Sequence, residues 1–73
     1  MKMTRQEQLE NAYCLLFLFS LNYMRTIHEV DQQRAKLVAA EILTSHSHLL
    51  DQYQECPKRV EASLKKIIKK NVG

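Results

Sequence analysis

The longest apolar stretch of the chain runs from Ala12 to Met24 and contains no charged residue. Apolar residues and one serine recur through it at alternating steps of four and three. Because a helix turns about 100° per residue, this spacing places them on one stripe. The stripe consists of Leu9, Tyr13, Leu16, Ser20, Tyr23, Ile27 and Val30. Thr4 and Glu7 have the spacing of a capping box, so the pattern predicts a first helix over about residues 4–28.

The apolar stripe changes phase after Val30, since its continuation would bury Arg34, Glu41 and His48. A new stripe indicates a second helix over about residues 32–54, with Asp31 as its N-cap. Its members are Ala35, Val38, Ala39, Ile42, Leu43, Leu49, Leu50 and Tyr53. No glycine or proline marks the corner between the two helices, so one continuous helix through both segments is the alternative.

Pro57 predicts the next break, because proline suits the first turn of a helix and disfavours helical geometry in the residue before it. A third helix is expected over about residues 57–70, with an inner stripe of Val60, Leu64, Ile67 and Ile68. We therefore expect one all-α domain spanning residues 1–73, built as an antiparallel helical hairpin or three-helix bundle.

The middle of the first helix is apolar on nearly every side, and Leu15 and Leu18 lie where a polar face is expected. A domain of this size buries only about 60% of its unfolded surface, so association is a natural remedy. We expect the helix to pair with its own copy or with another protein, as a homodimer or a heterodimer. The predicted interface residues are Leu15, Phe17, Leu18, Phe19 and Asn22. Full enclosure by the second and third helices is the alternative.

The charge of the chain is concentrated at one end. Residues 58–73 carry six basic side chains against one acidic one, which gives +5, whereas residues 1–57 carry five against seven, which gives −2. The basic side chains form one arc of the third helix: Lys58, Arg59, Lys65, Lys66, Lys69 and Lys70. Such an arc can contact nucleic-acid phosphates, or it can be a solvated face that keeps the protein soluble.

No pattern of chemistry-bearing residues predicts an enzyme, a cofactor or a metal site. His46 and His48 point about 200° apart on a continuous helix, and no Cys-x-x-Cys pair is present. His46 is expected to be a core-edge histidine bonded to a neighbour. Cys14 and Cys56 are interpreted as small hydrophobes near packing faces, with reduced thiols. The only glycine is the last residue, which excludes a glycine-rich phosphate loop.

The apolar stretch is shorter than the about 20 residues that a membrane span needs. No secretory signal is recognisable near the first residues, so a cytoplasmic location is expected. The sequence thus favours a small cytoplasmic protein–protein interaction module, such as a regulator, inhibitor, adaptor or co-chaperone. The alternative is a dimeric nucleic-acid-binding regulator that uses the basic face of helix 3.

Overall fold

The computed structural model describes residues 3–72 and is all-helical over that range. Its four helices are α1 (Arg5–Ile27), α2 (Gln32–Ser45), α3 (His48–Tyr53) and α4 (Pro57–Val72). α1 packs against each of the other three helices, and α4 also contacts α2 and α3. The radius of gyration of 12.1 Å is close to what a compact chain of this length requires. The all-α prediction is therefore confirmed.

The two ends of α1 are fixed by local hydrogen bonds. Thr4 accepts from the Glu7 backbone N–H, and the Glu7 side chain accepts from the Thr4 backbone N–H, so the predicted capping box is confirmed. After His28 the chain turns at Glu29, whose φ of 55° is left-handed. The Val30 N–H then donates to the Met24 carbonyl over 3.0 Å. α1 and α2 are thus separate helices, and Asp31 caps α2 as predicted.

The buried line of α1 differs from the predicted stripe. Ala12, Leu16, Ser20 and Met24 are buried, each four residues after the last. Leu21 is buried beside this line, whereas Ile27 is exposed. Steps of four overshoot a full turn by about 40°, so the line of contact winds around the helix. Because α2, α3 and α4 all pack on α1, its contact surface follows this winding line instead of a straight heptad stripe.

The prediction of one helix over residues 32–54 is corrected to two helices. α2 ends at the C-cap His46, whose φ and ψ are −120° and 48°, and α3 begins at His48. Just before the break the Thr44 hydroxyl donates to the Ala40 carbonyl over 2.8 Å, a type of bond that often bends helices. The break still allows Leu49 of α3 to be buried in the core.

The core lies where α1 meets the inner stripes of α2 and α4. The predicted inner stripe of α4 is confirmed: Val60, Leu64 and Ile68 are buried, and Ile67 packs partly buried against them. On α2 the buried residues are Ala35, Ala39, Ile42 and Leu43. Small alanines of α2 allow its backbone to approach α1 closely. Among residues 3–72, no helix covers one side of α1.

Candidate functional site

The uncovered side of α1 carries four residues spaced four, three and four positions apart. We call Asn11, Leu15, Leu18 and Asn22 the outer face of α1; all four are exposed. Leu15 keeps 44% of its surface accessible and Leu18 keeps 50%. The chain's own helices therefore leave open two leucines in the middle of its most apolar helix. This face contains three of the five predicted interface residues.

The two phenylalanines predicted as interface anchors occupy different places. Phe19 is partly buried beside the outer face, and its ring stacks on Tyr23 at 6.2 Å between centroids. Phe17 is also partly buried and stacks on Tyr13 at 6.1 Å, on the other flank of the helix. Phe19 borders the outer face, whereas the structure does not bring Phe17 together with Leu15.

Asn11 belongs to the outer face but was not among the predicted interface residues. The signal that could have identified it is the spacing alone, since Asn11 lies four residues before Leu15 and seven before Leu18. Cys14 is exposed next to this face, and Cys56 is exposed near the start of α4. The interpretation of both cysteines as small hydrophobes near packing faces is therefore wrong. Leu37 is 72% exposed but lies on α2 and does not belong to the outer face.

The second candidate surface is the outward side of α4. We call Lys58, Arg59, Lys65, Lys66, Lys69 and Lys70 the basic face of α4; all six are exposed. Among residues 3–72 the only ion pair joins Arg5 to Asp51, so no carboxylate in this range pairs with the basic face. Lys65 places its Nζ 5.7 Å from the centre of the Tyr23 ring, a cation–π contact that ties one edge of the face to α1.

The histidines are closer together than a continuous helix would allow. The break between α2 and α3 brings the rings of His46 and His48 to 5.9 Å between centroids, which corrects the expected divergence. His46 Nδ1 lies 3.0 Å from the Ile42 carbonyl, so its prediction as a core-edge histidine bonded to a neighbour is confirmed. No cluster of three or more metal-ligand side chains occurs among residues 3–72.

A polar cleft of about 290 Å³ lies between the first turns of α1 and the end of α3. Arg5 Nη2 donates to Asp51 Oδ1 over 2.6 Å across it, and Gln54 donates to the Gln8 carbonyl over 3.2 Å. Two of the charged side chains that line it, Arg5 and Asp51, are thus paired with each other. The arrangement joins α1 to α3 and offers no nucleophile beside a base.

Within the part of the chain that the structure describes, no helix combines the length and apolarity that crossing a membrane demands. Comparison with protein-family models, with curated proteins and with solved structures gave no match to this chain.

Proposed function

We propose that the protein is a small helical interaction module that works by docking the outer face of α1 onto a helical protein surface. The observation that carries the proposal is the half-exposure of Leu15 and Leu18 in the middle of the central helix. Large apolar side chains at a well-defined helix face are the usual anchors of helix-mediated recognition. The protein then acts through binding rather than through a chemical step.

The size of the exposed apolar surface on the outer face determines how strongly it can bind a partner. Full burial of a leucine is worth about 1.5–3 kcal/mol, so covering the half that remains exposed on Leu15 and Leu18 contributes roughly 1.5–3 kcal/mol together. Association itself costs about 4–15 kcal/mol. The neighbouring Phe19 and the apolar surface of the partner must supply the remainder. We therefore expect weak and reversible association, to which the two leucines contribute only part of the binding free energy.

Replacement of Leu18 by Asp tests the proposal. Leu18→Asp places an unpaired charge at the centre of the outer face, so association with the chain's own copy or with a host partner should be lost. Sedimentation velocity at micromolar concentration measures self-association, and affinity capture from host lysate compares the recovered proteins. Leu18 is half-exposed, so circular dichroism should show unchanged helix content.

The matched control is Leu37→Asp, which makes the same change at the 72% exposed leucine of α2. Association should survive this substitution. Equal association of the wild-type chain and the Leu18→Asp chain in both measurements would contradict the proposal. Equal loss in the Leu18→Asp and Leu37→Asp chains would also contradict it, because the effect would then follow charge rather than the outer face.

A second candidate function, nucleic-acid binding, is favoured by the six exposed bases on α4 that have no carboxylate partner among residues 3–72. Clustered unpaired cations attract phosphates through release of counterions. Five of the six are lysines and no aromatic side chain stands between them for base stacking, so such binding would be independent of base sequence.

Reversal of charge on the basic face tests this candidate. Lys66→Glu with Lys70→Glu should abolish the electrophoretic shift of labelled DNA or RNA at low salt, whereas Lys36→Glu on α2 should not. In the wild-type chain the logarithm of the affinity should fall by about 0.9 per phosphate contact for each tenfold rise in salt. Absence of any shift at low salt would reject the candidate.

A further inference from the structure

The order of residues on the outer face of α1 reads the same in both chain directions. Its order is Asn11, Leu15, Leu18, Asn22, and the midpoint of this set lies between Leu16 and Phe17. Reversal of the helix exchanges the two leucines with each other and the two asparagines with each other. The outer face is therefore complementary to itself under a two-fold rotation.

An antiparallel pair of α1 helices uses this symmetry directly. A two-fold axis through the midpoint brings Leu15 of one copy level with Leu18 of the other, and Asn11 level with Asn22. The leucines then cover one another in the middle, and each asparagine finds an amide partner at the end of the apolar contact. Steps of four and three residues form the seam along which two helices pack at a shallow angle.

Charge distinguishes the antiparallel arrangement from the parallel one. Glu7 lies in the first turn of α1 and Arg25 in the last, and both are exposed. They are 18 residues apart, about five whole turns, so they project from the same side of the helix. Antiparallel pairing places Arg25 of each copy beside Glu7 of the other. Parallel pairing would leave Glu7 without an Arg25 at its level and would align the helix dipoles.

We infer that the occupant of the outer face is a second copy of this chain, paired through α1 in antiparallel orientation. A two-fold dimer brings two copies of the same face together, so each residue has to suit the residue that it meets. On this face leucine meets leucine, asparagine meets asparagine and Glu7 meets Arg25. This pairing rests on the proposed function, because it assigns a partner to the same surface. The dimer contact centres on the four leucines of the two copies.

Cysteine cross-linking distinguishes the orientations in the full-length chain. Both native thiols are removed by Cys14→Ser and Cys56→Ser, and Asn11→Cys and Asn22→Cys are then introduced into separate chains. Mild oxidation of the mixed chains should give a covalent dimer, while each chain oxidised alone should not. In the antiparallel pair, like positions lie about 16 Å apart along the axis, and a disulfide requires Cα atoms within about 7 Å.

Sedimentation equilibrium of the wild-type chain supplies the second measurement. We expect a reversible dimer whose dissociation constant rises at least about 100-fold with Leu15→Asp and Leu18→Asp, because each buried carboxylate would lack a partner. A covalent dimer formed when either variant is oxidised alone would show parallel pairing and overturn the inference. A wild-type chain that stays monomeric would overturn it as well. If that monomer still lost a host partner on Leu18→Asp, the proposed function would stand without the self-pairing.

Discussion

Glu29 is the one described non-glycine residue with a positive φ, and it ends α1 at a corner without glycine or proline. The left-handed conformation costs an ordinary residue about 1–2 kcal/mol, because Cβ approaches the following carbonyl. The chain tolerates this strain since the turn lets Val30 donate to Met24 and fold towards the core. Asp31 then caps α2 within two residues. The corner is thus held by hydrogen bonds on both of its sides.

Glu29→Gly should stabilise the protein. Removal of Cβ relieves the strain, and the added entropy of the unfolded glycine offsets part of the gain, which leaves about 0.5–1 kcal/mol in the free energy of unfolding. For a domain of this size such a gain raises Tm by roughly 2–8 °C. Thermal unfolding followed by circular dichroism measures it.

Glu41→Gly is the matched control, because Glu41 is an exposed residue inside α2. There the same substitution should lower the free energy of unfolding by about 1 kcal/mol, since glycine is a poor helix former. A Glu29→Gly chain that lost as much stability as the Glu41→Gly chain would refute the strain at the corner.

At the scale of elements, α4 stabilises α1 mainly through a small set of fully buried side chains. Leu64 is fully buried against the core, whereas Leu18 on the outer face is half-exposed. Loss of a buried leucine removes both its transfer free energy and its packing, because the surrounding helices close the cavity only in part. Loss of a half-exposed leucine removes much less of this free energy, because part of the side chain is already in contact with water. The two leucines therefore separate a packing role from a docking role.

Leu64→Ala should lower the free energy of unfolding by about 2–5 kcal/mol, whereas Leu18→Ala should change it by less than about 1 kcal/mol. Urea denaturation measures the free energy of unfolding of both variants, at a protein concentration too low for self-association. Equal losses at the two positions would show that the outer face belongs to the core of the single chain.

The sequence predicted most helix termini and the apolar stripes of α2 and α4, because capping and periodicity are local. Thr4, Asp31 and Pro57 each signal a helix start by their own chemistry, and the structure places a helix after each. The break at His46 was missed because apolar spacing continues across it to Leu49. Ser45 and Ser47 favour a break only weakly, so tertiary packing decides there. The straight stripe predicted on α1, with alternating steps of four and three residues, was wrong because three helices pack on that helix.

The candidate site was predicted in part for the same reason. Leu15, Leu18 and Asn22 were found because a helix wheel places them opposite the stripe. Phe17 and Phe19 belong to the predicted interface, yet the ring of each stacks on a neighbouring tyrosine of α1. Whether an aromatic side chain lies in the core or in solvent depends on which rotamer the neighbouring helices allow. A sequence pattern does not contain that information.

At the scale of the whole molecule, two exposed surfaces of different chemistry stand on a compact body of 39 × 21 × 19 Å. The outer face of α1 is apolar at its centre, and the basic face of α4 carries six cations without carboxylate partners among residues 3–72. The proposed self-pairing through α1 uses none of the six basic side chains. The two proposed activities are thus compatible in one assembly, since each uses its own helix.

The burial of α1 by helices that follow it in the chain determines when the protein can fold during synthesis. Leu16 and Met24 leave the ribosome well before Val60, Leu64 and Ile68, which complete their enclosure. At about 5–20 residues per second, the delay lasts roughly 2–9 seconds. During that interval α1 is the main exposed apolar surface of the nascent chain. Chaperone binding to the emerging polypeptide should therefore concentrate on α1 and end once α4 has been translated.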